Sequence, residues 1–280
     1  MSHPTHRLDA AFARLRADGE TGLGLFLTCG FPTPEATLPI LLEADRAGAD
    51  FIELGMPFSD PVAEGLPIQQ ASERALAQGV GMDDVLATAR AFREASDTPL
   101  LLMGYANPVL RYGVGDFCAA AASAGVDGLI LPDLPPEEAD ELDAAAAHHA
   151  LRTVYLVAPN TRPERVAHVA ARATGFVYAV SQAGLTGAAL ADADATAAYL
   201  ARVRETVHAA GLPLCVGFGI RTPEDAARLG RAADAVIVGS ALIRLAAGLW
   251  DDGELSPNTR LAHVNAWASA LKAGALSPAP

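Results

Sequence analysis

The chain has 280 residues, with 33 acidic side chains against 20 basic ones, for a formal net charge of −13. At 51% apolar and 19% charged it supplies a large core and lacks the composition of a disordered segment. Its acidity, with a pI near 4.9, argues against nucleic acid or an anionic membrane as the main partner, but not against a small phosphate ester held by backbone N–H groups.

The opening MSHPTHRLDAAFARLRADGE has no apolar signal-peptide core, and no apolar run of roughly 18 residues follows it. Cys29, Cys118 and Cys215 are widely separated, with no CxxC or histidine at metal spacing. They read as reduced core residues of a cytoplasmic protein with no metal site. A first helix is predicted over 8–15, placed to close the bottom of whatever follows. Strands are predicted at 23–28, 51–54, 100–105, 128–131, 153–157, 176–180, 214–217 and 235–238, each apolar on both parities, as in parallel strands covered on both faces. Between them lie helical patterns at 35–47, 82–95, 114–124, 136–148, 163–173, 194–210 and 223–229, with an eighth at 259–271. Every connection is long enough for a crossover helix.

A short echo recurs: Gly48-Ala49-Asp50 precedes FIELG, Gly125-Val126-Asp127 precedes GLILPD, and Ala232-Ala233-Asp234 precedes AVIVGS. Each reads as a helix end, a tight turn and a strand. Eight strands with eight helices fit a (β/α)₈ TIM barrel with an extra N-terminal helix better than an open doubly wound sheet. No linker divides the chain, so one domain over 1–280 is expected, with 274–280 as a frayed tail. The connections after the second strand (57 to about 82) and the sixth (181 to about 194) are longest, and in barrels such loops carry the chemistry.

Glu53 stands at the C-terminal end of an otherwise apolar strand, where desolvation raises a carboxyl's pKa towards working pH. The plain alternative is a glutamate paired with a neighbouring arginine. The next loop, GMPFSDPVAEGLP, adds Asp60 and Glu64. Asp60 sits in an Asx-turn context between Ser59 and Pro61. Glu64 has no evident local backbone role, and paired carboxylates in unlike environments are the usual material of acid–base chemistry. Glycines punctuate three consecutive strand ends, in SQAGLTG, VGFGI and VGSA, and a helix starting at Ser240 would aim its positive end at an anion there. With Lys272 the sole lysine, a phosphate at this place would be held mainly by dipoles and hydroxyls. Asn107 before Pro108 and Asp133 after Pro132 lie at the same end, with turn capping as the default reading.

Taken together, FIELGMPFSDP, YANPVL, LPDLPPEE, SQAGLTG, VGFGI and VGSA resemble the tryptophan synthase alpha chain family, in the same order from about Phe26 to about Leu245. The resemblance implies a single barrel that cleaves indole-3-glycerol phosphate to indole and glyceraldehyde 3-phosphate without a cofactor of its own. It also implies a beta-chain partner carrying pyridoxal phosphate, in an α₂β₂ tetramer. Carried over residue by residue, Glu53 is the proton donor to indole C3 and handles the glycerol hydroxyl proton. Glu64 is the group that holds the indole N–H. Tyr178 lies near the glycerol, Phe26 and Ile130 line the indole slot, and Gly187, Gly219, Gly239 and Ser240 form the phosphate cradle beside Gly184 and Phe218. Asp60, Asn107, Asp133 and Thr186 couple the loops and the partner face.

The chain departs from the family pattern in one informative place. SDPVAEGLPIQ stands where SDPxADGPxIQ is usual, so Glu64 is one methylene longer than the expected aspartate. A misplacement of about 1 Å costs on the order of 10²-fold in rate. Two alternatives therefore stay open: an alpha-like chain that mainly binds and activates the beta chain, and a lyase that works alone and releases indole. Another phosphate-binding barrel is a more distant third.

Overall fold

A computed structural model describes residues 6–180, 193–217 and 219–276. Eight parallel strands close into a barrel in chain order: β1 (Gly22–Thr28), β2 (Phe51–Gly55), β3 (Leu100–Met103), β4 (Gly128–Ile130), β5 (Arg152–Val157), β6 (Val177–Val180), β7 (Leu214–Gly217) and β8 (Ala235–Val238), with β8 pairing back onto β1. Each lies within two residues of its predicted bounds. The helices predicted ahead of and between the strands are present as α1 (Arg7–Asp18), α2 (Pro34–Arg46), α4 (Met82–Ala95), α6 (Val114–Ser123), α7 (Asp140–His148), α8 (Pro163–Arg172), α9 (Ala193–Ala209) and α10 (Pro223–Gly230).

Four features differ from expectation. The stretch 57–82 contains α3 (Leu66–Ala77), and α5 (Ala106–Tyr112) follows β3 directly. Pro67 and Pro108 point to turns in the sequence, yet both fall in a first helical turn, where the missing N–H costs nothing. The last βα unit holds two helices, α11 (Ser240–Asp251) and α12 (Pro257–Leu276), in place of one over 259–271. Finally, α12 runs through Gly274, Ala275 and Leu276, the start of the stretch expected to fray. Gly274 lies so close to α10 that a Cβ there would sit 2.4 Å from the Pro223 carbonyl oxygen.

The N-terminal end of the barrel is plugged. α1 buries Leu8, Phe12 and Leu15, and the Phe12 ring lies 5.9 Å from the rings of both Phe51 and Phe176. Gly24 makes room for Phe51, whose ring would be 2.4 Å from any Cβ placed there. The echoed aspartates form clamps at the same end. Asp50, Asp127 and Asp234 accept hydrogen bonds from the N–H groups of Leu23, Leu100 and Leu214 at 2.7, 2.9 and 2.7 Å, while their own N–H groups donate back to the carbonyls of those same residues. Between β5 and β6 a threonine does the same: Thr174 Oγ1 accepts from Thr153 N at 2.8 Å, and Thr174 N donates to Thr153 O. Arg14 and Lys272 neutralise Asp50, and Arg7 and Arg93 neutralise Asp127. The sole lysine thus ties α12 to the barrel base. All three cysteines are buried free thiols.

Candidate active site

At the opposite, C-terminal end the barrel opens into a cleft of about 480 Å³, counting its open mouth. Phe26 on β1, Glu53 on β2, Met103 on β3, Tyr178 on β6 and Ile237 on β8 form its floor and walls. Register explains the grouping. Phe26 and Glu53 are paired residues of neighbouring parallel strands, and pleating turns both to the same side of the sheet. Their depth depends on glycines: a Cβ on Gly55 would lie 2.6 Å from the Phe26 ring, and one on Gly217 would lie 2.2 Å from the Tyr178 hydroxyl. The two aromatic rings fill space that only these glycines leave open.

Glu53 is completely buried, and neither carboxyl oxygen has a hydrogen-bond partner among the described residues. The arginine partner of the plain alternative is not there. Glu64 reaches the cleft from the loop between β2 and α3, is 4% exposed, and its Oε2 is likewise unpartnered. Burial, followed by the nearby Glu64 charge, pushes the Glu53 carboxyl up to about 8. Burial pushes Glu64 up to about 7. The Tyr178 hydroxyl is also driven upward, first by burial and then by the two glutamates.

The Glu64 loop is held from beside it. The Ala63 N–H donates to the Tyr105 hydroxyl at 3.0 Å, and the Tyr105 ring stacks on Phe58 at 5.2 Å. On the other side Gly65 is the N-cap of α3, and Gln69 Nε2 donates to the Glu64 carbonyl at 2.8 Å.

The far wall of the cleft is polar. Gly219 has φ +83, a left-handed backbone that favours glycine. Gly239 is the N-cap of α11 and Ser240 its first residue, so the free N–H groups of that first turn face the cleft. Gly184, Thr186, Gly187 and Phe218 lie outside the described residues.

The remaining expected positions sit elsewhere. Ile130 is fully buried beside Met103 in the β3–β4 register, but Met103 forms the cleft wall there and Ile130 does not reach it. Asp60 is exposed and takes a hydrogen bond from the Ser59 hydroxyl. Both carboxyl oxygens of Asp133 accept from the Ala106 N–H, at 3.0 and 3.2 Å, at the start of α5. Exposed Asn107 lines a separate surface groove with Phe58, Ser59 and Arg111.

Sequence reasoning missed Ile68, Met103, Ile220, Arg221, Ile237 and Arg244 of the lining. For Arg244 a signal existed: it follows Ser240 by four residues, one helical turn. Among the described residues, no three His, Cys, Asp or Glu side chains converge as a metal site would require.

Fold and site together define a (β/α)₈ barrel enzyme equipped for acid–base work: two protonatable carboxyls in an apolar cleft with an anion-receptive wall. The chain belongs to the tryptophan synthase alpha chain family, whose sequence profile matches residues 12–272. It is 50% identical over 240 residues to the alpha chain of Methylibium petroleiphilum, covering 85% of this chain and 87% of that one. It is 47% identical over 267 residues to that of Phenylobacterium zucineum, covering 95% of each. The crystal structure of the alpha subunit from Legionella pneumophila superposes with a TM-score of 0.88 at 38% identity, over 97% of this chain and 99% of that one. Membership makes the chain a lyase of the alpha reaction, the cleavage of indole-3-glycerol phosphate. The family is the alpha subunit of an enzyme that also has a beta chain and needs no cofactor of its own.

Proposed function

We propose that Glu53 and Glu64 carry the retro-aldol cleavage between them. The observation that carries this reading is that both carboxyls are buried in one cleft, with apparent values of about 8 and about 7. Near neutrality the favoured singly ionised pair keeps the proton on Glu53 and the charge on Glu64, which is the division of labour the reaction needs. The indole ring occupies the apolar side between Phe26 and Met103, with its phosphate towards Gly219, Gly239 and Ser240. Protonated Glu53 delivers its proton to indole C3, and the ring nitrogen becomes cationic. Glu64 carboxylate accepts the hydrogen bond of that N–H and stabilises the positive charge. The bond from C3 to the glycerol carbon then breaks, its electron pair restoring the aromatic ring. The hydroxyl on that carbon gives its proton to Glu53 carboxylate and becomes the aldehyde of glyceraldehyde 3-phosphate. Glu53 ends as it began.

The longer Glu64 side chain still ends in the cleft, which favours an active lyase over a chain that only activates its partner. We further assign the loops bearing Asp60, Asn107 and Asp133 to the partner face, the tetramer to an α₂β₂ arrangement with pyridoxal phosphate on the beta chain, and the whole of 1–280 to one domain. Among the described residues no helix is long and apolar enough to cross a membrane, and a cytoplasmic location fits the reduced thiols. Indole release from indole-3-glycerol phosphate, with and without beta chain, tests the reading. Turnover is expected in both, and Glu64→Asp retains it; no turnover even with beta chain present refutes it. Turnover unchanged by beta chain would favour a lyase acting alone.

A further inference from the structure

We propose that Thr28, acting through one bound water in a hollow beside the cleft, positions the Glu64 carboxylate. Thr28 does not line the cleft itself, so it is a positioning residue. The proposal rests on the reading of Glu64 as the group that holds the indole N–H.

Thr28 ends β1 two residues after Phe26, and side chains two apart on a strand share a face. Its register partner is Gly55, where a Cβ would lie 3.1 Å from the Thr28 Cα. Beside the cleft, and sharing the Phe26, Ile68 and Met103 side chains with it, lies a second hollow of about 240 Å³, counting its open part. Thr28, Ser72, Tyr105 and Glu64 bring polar groups to this hollow, and Glu53 does not line it. Ser72 is buried on α3 one turn after Ile68, and Glu64 lines both spaces.

Other buried threonine hydroxyls are used by the fold: Thr37 Oγ1 accepts from the Gly30 N–H at 2.9 Å, and Thr153 Oγ1 pairs with Thr174 Oγ1 at 3.2 Å. Thr28 Oγ1 is buried without a partner among the described residues, and so is Glu64 Oε2. Leaving a buried hydroxyl unpaired is costly. A water needs a space of its own size and roughly two to four polar partners, and the hollow offers Thr28, Ser72 and Glu64. A water that accepts from the Thr28 hydroxyl and donates to Glu64 satisfies both orphaned oxygens. The Tyr105 hydroxyl already takes the Ala63 N–H, so the loop backbone and the carboxylate are held by separate bonds. The bond from the water steadies a side chain one methylene longer than the family's aspartate and favours its charged form.

The test is cleavage of indole-3-glycerol phosphate across about pH 6 to 9 by wild type, Thr28→Val, which keeps the branched shape without the hydroxyl, and Thr28→Ser, which keeps the hydroxyl. Thr28→Val is expected to lower kcat about five-fold with KM nearly unchanged, and to move the limb near 7 upward by about half a unit. The other charged or titratable groups around Glu64, namely Glu53, Tyr178, Arg221 and Arg244 in the cleft and Tyr105 in the hollow, are the same in all variants. Thr28→Ser should restore both rate and limb. Adding Thr28→Val to Glu64→Gln should cost nothing further, and a crystal structure of wild type should show the water within hydrogen-bond reach of Thr28 Oγ1 and the Glu64 carboxylate. Wild-type kcat and limb in Thr28→Val overturn the proposal, as do equal losses in Thr28→Val and Thr28→Ser, or a full five-fold loss persisting in the Glu64→Gln background. Full activity of Glu64→Gln alone overturns the reading of Glu64 instead, so the two failures are distinct.

Discussion

Replacing Glu53 by glutamine separates what the carboxyl does for chemistry from what it costs the fold. A folded-state value of about 8 against an ordinary 4.5 means that the folded protein holds this proton more tightly than the unfolded chain does. The stability supplied by the neutral form is therefore complete below about 4.5 and is lost as pH rises towards 8, beyond which the loss levels off. From that displacement, ionisable Glu53 weakens the fold by about 1 kcal/mol at pH 5, about 3 at pH 7 and about 5 at pH 9, relative to a side chain that stays neutral. Glutamine does not titrate, so Glu53→Gln removes this slope, whatever constant offset its buried amide adds. Urea unfolding at the three pH values should show wild type losing about 4 kcal/mol relative to the variant between pH 5 and 9, seen in the midpoint with an unchanged m-value. The variant should also bind substrate while turnover is abolished. Parallel stability profiles for the two proteins would refute the argument, because they would mean that Glu53 is not held neutral by burial.

The ionisation pattern required for cleavage, Glu53 protonated with Glu64 charged, predicts a bell-shaped kcat/KM profile that rises through about 7 and falls through about 8, the limbs belonging to the coupled pair. A flat profile over that range would exclude the assignment. Tyr105→Phe deletes the acceptor for the Ala63 N–H, which loosens the loop carrying Glu64; kcat should drop about ten-fold with KM less affected and the limb near 7 displaced, and an unchanged limb would show that the tyrosine does not position Glu64. Asp127→Ala strips the buried partner from Arg93, Arg7 and the Leu100 N–H, and thermal or urea unfolding should register a loss of about 3–5 kcal/mol with little effect on kcat of the folded enzyme.

Much of the barrel was legible because parallel strands covered on both faces must be apolar at every position, and Glu53 stood out as the exception in FIELG. Three of the four clamps were visible as an echo, although nothing in a triplet that ends in Asp says that its carboxylate reaches back to the strand before it, and the fourth, at Thr174, left no such sign. Helices α3 and α5 were hidden by prolines that are tolerated in a first turn. Ile130 shows where local reasoning ends: its strand and its inward parity were readable, but whether it or Met103 reaches the cleft depends on how deep each strand sits. Arg244 left only its spacing, one helical turn after Ser240, and that spacing alone does not separate a solvated face from the mouth of a site.

The four clamps at the barrel base join β1 to β2, β3 to β4, β5 to β6 and β7 to β8, and always run from the turn entering the even strand to the start of the odd one. The repeating unit of this barrel is thus a pair of βα modules, and the closed structure is four stapled quarters. A cut between α4 and β3, or between α7 and β5, leaves every staple inside a single fragment. A cut between α6 and β4 puts Leu100 and Asp127 on different pieces. Split or circularly permuted chains opened at the quarter boundaries should reassemble where those opened within a quarter do not.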